Sequence, residues 1–239
     1  CGTPAGKLVF FPYAVDNERL AGRSEEIKKN PEKNSVRKNF GINEKGVINL
    51  FVGKLMPKKR PLDLLMAFEK IKLENKSLIF VGDGVLRAEL EKRAKDRDLK
   101  NVHFAGFQNQ SVLPYFYAAA DIFILPSGAG ETWGLVVNEA MCFGLPIVVS
   151  KTCGCAADLV KNGENGFALN EGDISELVNY LEDLIQNPEK RAAFGKKYRL
   201  EWLSYRAVKF GARGNTYFLP DFMERHGYVY RFPGPDIRA

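Results

Sequence analysis

The stretch SGAGETWGLVVNEAMCFGLP, from Ser127 to Pro146, places Glu131 and Glu139 in a segment otherwise made mostly of small and apolar residues. A carboxylate accepts hydrogen bonds and donates none, so its natural targets are hydroxyls and amines. Two such acceptors in an apolar segment raise the question of what they hold.

The elements around them suggest an answer. DIFILP, just before Ser127, reads as a short buried strand, and GLVVNEAM opens a helix. Ser127 to Glu131 then lies at the carboxyl end of a strand, where ligands bind in open parallel sheets. The amides around Gly134, Leu135 and Val136 have no earlier turn to supply acceptors. A helix start of this kind attracts phosphate, and Gly134 would let a ligand approach the backbone. Glu131 sits ahead of the helix and Glu139 one to two turns inside it, so the two are not stacked neighbours. They can grip different parts of one ligand. A ligand with phosphate in the middle and hydroxyls at both ends is a nucleotide sugar. On spacing alone the two acids read equally well as solvated loop and helix charges.

The rest of the chain has the rhythm that such a site needs. VINLFVG, SLIFVGDG, NVHFAGF, DIFILPS and PIVVS read as strands. RPLDLLMAFEKIK, VLRAELEKRAKDRD, SVLPYFYAAA, WGLVVNEAMCFG, ISELVNYLEDLIQ and EKRAAFGKKYRLEWLSYR read as helices. In the first of these helices Leu62, Leu65, Met66 and Phe68 fall near helical spacing. RSEEIKKNPEKNSVRKNFGI is charged and helix-like, with Pro31 against a continuous helix. Short apolar strands alternating with helices predict a parallel sheet covered on both faces.

Bulk properties agree with a globular chain. It has 239 residues, 45% hydrophobic and 27% charged, with a formal net charge of +6. That charge suits an anionic partner without distinguishing nucleotide, nucleic acid and membrane surface. There is no run of about 18 apolar residues that would span a membrane, and no signal peptide is evident. Cys1, Cys142, Cys153 and Cys155 do not form a disulfide-type spacing, which favours a reducing compartment. The chain starts at Cys1, and the expectation is a piece of a longer protein.

ETWGLVVNEAMCFGLPIVVS resembles the E-x7-E motif of retaining glycosyltransferases of family 4, which have the GT-B fold. Further stretches stand in the family's order: PYAVDNERL, LFVGKLMPKKRPLDLLMAF, LIFVGDGVLRAEL, NVHFAGFQNQSVLPYFYAAADIFILPS, and GCAADLVKNGENGFAL followed by EGD. The resemblance spans roughly residues 8 to 205. It implies an α/β, Rossmann-like parallel sheet with helices on both faces, the C-terminal, donor-binding half of a GT-B fold. The implied organisation is an interdomain-type segment over 1–20, a nucleotide-sugar-binding domain over 21–205 and an atypical tail over 206–239. The tail is rich in Gly, Pro and aromatics where the family has a last helix that crosses back to the N-terminal domain.

The resemblance also implies roles. Glu131 is similar to the glutamate that contacts the donor sugar at the reacting centre, and Glu139 to the one that accepts from the ribose hydroxyls. Thr132, Trp133, Gly134, Leu135 and Val136 resemble the backbone that binds the sugar and distal phosphate. Lys54 and Lys59 resemble the basic residues that neutralise the diphosphate, while Lys58 reads as solvated. Lys54 replaces the family's usual Arg, which keeps the charge and loses the bidentate fork. Arg60 stands where glycine is common. Gly106 and Phe107 match the strand end near the nucleobase.

The implied reaction is sugar transfer from a nucleoside diphosphate sugar with retention at the anomeric carbon. Cations and a helix start would stabilise the departing phosphate, and Glu131 would orient the sugar. Expected partners are the sugar-nucleotide donor and an N-terminal acceptor domain, with peripheral membrane contact and without nucleic acid. The expected location is cytoplasmic, extending to the inner membrane surface. Two other readings remain at this stage: a non-catalytic nucleotide-sugar binding module, and a related GT-B phosphorylase or epimerase.

Other stretches read as structural. Asp96-Arg97-Asp98 has the form D-x-D but ends a basic helix, so it reads as a solvated face. VGDG lacks the full G-x-G-x-x-G and reads as a tight turn. Cys153 and Cys155 have no second pair for zinc. His103 and His226 have no evident partner, and neither metal nor cofactor is expected.

Overall fold

The computed structural model describes residues 15–30, 35–202, 207–209 and 216–218. Its centre is a parallel sheet of six strands in the order β3-β2-β1-β4-β5-β6. The strands are β1 (Val47–Val52), β2 (Lys76–Val81), β3 (Val102–Gly106), β4 (Ile122–Leu125), β5 (Ile147–Ser150) and β6 (Gly166–Leu169). Register runs without a shift along β1 and β2, from Val47 opposite Lys76 to Val52 opposite Val81. Strands β1, β2, β4 and β5 are buried at every position. Burial of successive residues, which point to opposite faces, means both faces are covered. β3 is half-buried throughout, as suits an edge strand.

The helices that cover the sheet are α1 (Asn17–Lys29), α2 (Val36–Asn39), α3 (Pro61–Lys70), α4 (Arg87–Asp96), α5 (Leu113–Ala119), α6 (Leu135–Cys142), α7 (Ala156–Leu159), α8 (Ile174–Gln186) and α9 (Pro188–Trp202). α3 packs beside α4 and α8, whereas α1 packs beside α5 and α6. α1 begins at Asn17, where the Asp16 side chain accepts from the Arg19 amide, and it buries Leu20 and Ile27. The helix therefore starts inside the segment assigned to 1–20. α1 ends at Lys29 and α2 starts at Val36; Pro31, where a break was expected, lies outside the described residues.

Two local expectations need correction, and the tail gains detail. The expectation of five strands omitted β6: GFAL is only four residues long and carries no alternation from which to read a strand. In α3 the buried face is Pro61, Leu64, Leu65, Ala67 and Phe68, while Leu62 and Met66 are half-exposed. The helix has apolar residues nearly all round, so spacing alone did not select the face. The tail includes two short strands, β7 (Ala207–Lys209) and β8 (Thr216–Phe218), paired antiparallel. The remaining tail, PYA in PYAVDNERL, Cys1 and His226 lie outside the described residues.

Candidate functional site

The chain leaves β1 toward β2 on one side and leaves β4 toward β5 on the other. β1 and β4 are hydrogen-bonded neighbours, so the strand order reverses between them. This is the topological switch point, where a crevice opens beyond the carboxyl ends. Two loops flank it. One follows β1 and carries Lys54 and Lys59. The other follows β4 and carries Ser127 to Gly134.

The double-glycine turn after β2 shapes the first loop. A Cβ on Gly84 would lie 2.5 Å from the Leu55 carbonyl oxygen. Leu55 donates to the Asp83 carbonyl at 2.9 Å and accepts from the Leu86 amide at 2.9 Å. VGDG is thus a tight turn that grips the backbone next to Lys54. Lys54 is exposed and makes no ion pair among the described residues. A 3-10 turn over Pro57–Lys59 then leads into α3 through Arg60, which is left-handed at φ 51, ψ 42. That conformation explains why glycine suits this position. Here the Arg60 side chain is held by Asp63 at 2.6 Å and Glu171 at 3.1 Å.

The two loops meet directly. Lys59 Nζ forms an ion pair with Glu131, their side chains 15% and 10% exposed. The structure thus joins the expected phosphate cation to the expected sugar-contacting acid. Lys58, read as solvated, also takes part: its carbonyl accepts from the Gly128 amide at 2.8 Å, and its Nζ donates to the Gly130 carbonyl at 3.1 Å.

α6 starts at Leu135, and no side chain caps it. The Val137 amide donates to the Gly134 carbonyl at 2.8 Å, and among the described residues the Leu135 and Val136 amides are left to an acceptor from outside the helix. Leu135 is 41% exposed, and Val136 is half-buried. Gly134 has φ 95, and its residue type has a packing reason as well. The space a Cβ would fill is occupied by Cys153 Sγ and Leu125 Cδ2, each 3.0 Å away. On its Cβ side, glycine there admits the chain's own packing. Trp133 is also turned inward: it is buried, and its indole N–H donates to Asn138 Oδ1 at 2.8 Å. Its carbonyl accepts from the Cys155 amide at 3.0 Å and from Cys153 Sγ at 3.1 Å. Gly154 N–H donates to the Glu131 carbonyl at 2.9 Å, so the loop after β5 buttresses the segment. Thr132 is exposed.

Glu139, half-buried, accepts from the Tyr117 hydroxyl at 2.8 Å. Burial and the neighbouring carboxylate push the Tyr117 phenol well above its usual range, so it stays a donor. Burial and Glu139 likewise push the Cys142 thiol up to about 12. One Glu139 oxygen therefore already has a partner, and carboxylates have further acceptor sites. Tyr117 gave no sequence signal beyond its place in an apolar helix. Gly106 and Phe107 lie at the end of β3, two strands from β1, or about 10 Å at ~4.8 Å per strand. Phe107 is 78% exposed.

Of the structural readings, Asp96 pairs with Lys92 at 2.6 Å and Asp98 with Lys100 at 3.5 Å, all on exposed side chains. His103 packs on Phe40 with centroids 5.1 Å apart, and burial lowers its pKa. Cys153 and Cys155 are buried free thiols with sulfurs 3.7 Å apart. Among the described residues no group of three or more His, Cys, Asp or Glu could hold a metal, and no helix is long and apolar enough to cross a membrane.

The sequence is 32% identical over 222 residues to the sulfoquinovosyl transferase SQD2 of Arabidopsis thaliana, covering 90% of this chain and 41% of the relative. It is 27% identical to a GDP-mannose-dependent phosphatidylinositol monomannoside mannosyltransferase of Mycolicibacterium smegmatis, covering 80% of this chain and 50% of the relative. The chain thus spans half or less of the length of these relatives. A crystal structure of Anabaena Alr3699/HepE in complex with UDP and glucose superposes with a TM-score of 0.69 at 25% identity, covering 84% of this chain and 53% of that one. The structure of WaaG, a glycosyltransferase of lipopolysaccharide biosynthesis, gives 0.67 at 25% identity, covering 83% and 52%. The expected α/β Rossmann-like half of a GT-B fold is the fold found. The family profile for glycosyl transferases group 1 matches residues 16–201, and the chain belongs to that family.

Proposed function

We propose that this chain is the donor-binding part of a retaining glycosyltransferase that takes its sugar from a nucleoside diphosphate sugar. The observation that carries the reading is convergence at the switch point. The Lys59–Glu131 pair and the uncapped start of α6 come from loops on adjacent strands. A diphosphate placed there meets the helix amides together with Lys59 and Lys54. As the glycosidic bond breaks, negative charge builds on the terminal phosphate, and donors already in place stabilise it without reorganising. Glu131, next to Lys59, orients the sugar ring. Glu139, fixed by Tyr117, accepts from the ribose hydroxyls. Phe107 offers an exposed face for the base. Cationic side chains and helix amides supply the charge neutralisation, so the reading includes no metal. An acceptor domain on the other side of the crevice supplies the second substrate, at the cytoplasmic membrane surface.

HepE was crystallised with UDP and glucose, and the mannosyl relative is GDP-mannose-dependent, so the base is left to experiment. Calorimetry against UDP, GDP and ADP, each with and without EDTA, tests the site. One nucleotide should bind, unaffected by EDTA, and Glu139→Gln should weaken it by roughly 1.5–3 kcal/mol. No binding by any of the three, or binding that Glu139→Gln leaves unchanged, refutes the reading. With an acceptor domain supplied, NMR of the product should show the donor's anomeric configuration.

A further inference from the structure

We infer that Glu171, through Arg60, is a positioning residue that latches together the loops forming the donor site; this rests on the function proposed above. Glu171 follows β6 and precedes α8, away from the E-x7-E segment in sequence. Its Oε2 accepts from the Ala129 amide at 2.8 Å and from the Thr152 hydroxyl at 3.0 Å. Its Oε1 accepts from Arg60 at 3.1 Å. One carboxylate thereby ties the loop carrying Lys54 and Lys59, the loop carrying Glu131, and the loop after β5 that buttresses Glu131 and Trp133.

The surroundings fit this pairing. Gly128 has no side chain where the Glu171 carboxylate lies, and Gly172 has none where the Arg60 guanidinium lies. Arg60 keeps a left-handed backbone that L side chains rarely adopt. A glycine would adopt it freely and would give up the contact with Glu171. The three contacts also hold the Glu171 carboxyl below its usual range, led by the Ala129 amide, so it is ionised at neutral pH. The Glu171 and Arg60 side chains are 29% and 30% exposed. A pair this exposed adds little to global stability, but it fixes three loops relative to one another. The orientation of Lys59 and Glu131 depends on those loops.

Glu171→Gln and Arg60→Gly test the latch. Both should speed amide exchange over 128–134, read by mass spectrometry, while β1 and β4 stay protected. Both should weaken the nucleoside diphosphate that the wild type binds by about threefold to tenfold. The unfolding midpoint of Arg60→Gly should match or exceed that of the wild type, because glycine suits the backbone at position 60, so lost affinity cannot be ascribed to lost stability. If Glu171→Gln folds poorly, Arg60→Gly still decides the matter. Unchanged exchange over 128–134 overturns the latch. Faster exchange with unchanged affinity overturns the positioning role. If the wild type binds none of UDP, GDP and ADP, the donor reading fails, and the exchange measurement still decides the latch.

Discussion

Replacing Glu131 with Gln separates two roles that the structure places in one ion pair. Lys59 and Glu131 are largely buried against each other. Breaking a buried pair by removing one charge costs about 3–5 kcal/mol. The residual exposure and the retained shape of Gln lower this to roughly 2 kcal/mol, a figure also typical of a hydrogen bond to a charged group. The effect on binding should have the opposite sign. Glu131 engages Lys59 and repels a phosphate. Two unit charges roughly 6 Å apart interact by about 3 kcal/mol at an effective dielectric of ~20. Part of that is lost as the freed lysine gains motion, leaving about tenfold tighter binding of the free nucleoside diphosphate. The matching sugar nucleotide should gain less, because it also loses the carboxylate that orients the sugar. Calorimetry with both ligands and urea denaturation of Glu131→Gln, Lys59→Met and the double variant measure these terms. In the double variant the stability loss should be smaller than the sum of the single losses. If Glu131→Gln weakens the free nucleotide, Glu131 contacts the nucleotide itself and the division of roles is refuted.

Removing the Tyr117 hydroxyl with Tyr117→Phe deletes the hydrogen bond to Glu139; it should cost about 1.5–3 kcal/mol by urea denaturation and weaken nucleotide binding, and an unchanged affinity would show that Glu139 needs no such support. Lys76 is buried with its ammonium 3.7 Å from the Phe68 ring centroid and hydrogen-bonded to the Phe68 carbonyl, and burial lowers its pKa from 10.5 to about 8. The unfolded chain therefore binds more protons between these values, and stability should rise with pH from 8 to 10.5 by about 2–3 kcal/mol; the same rise in Lys76→Met would assign it to other groups. Phe107→Ala should weaken nucleotide binding by about 1–3 kcal/mol, as loss of one aromatic–base stack does, and leave stability unchanged because the ring is exposed; equal affinities would place the base elsewhere.

Five of the six sheet strands and the class of sheet were legible in the sequence. Short runs such as VINLFV and IVVS show burial on both faces directly, because a strand with no alternation must be covered on both sides. It also located the loop before α6 at a strand end and the two acids within it, since both depend on spacing of a few residues. Contacts between segments far apart in the chain became visible only in the fold. The Lys59–Glu131 pair exists because β1 and β4 are neighbours, and strand order is not a local property. The same holds for Glu171, which reaches residues on three loops, and for Tyr117, which meets Glu139 from another helix. Gly134 shows the limit most clearly. Its residue type announced a backbone that comes close to something, but only the packed loop after β5 showed that the neighbours were Cys153 and Leu125. Periodicity and turn chemistry report forces within a few residues; which loops face one another follows from how the sheet is ordered.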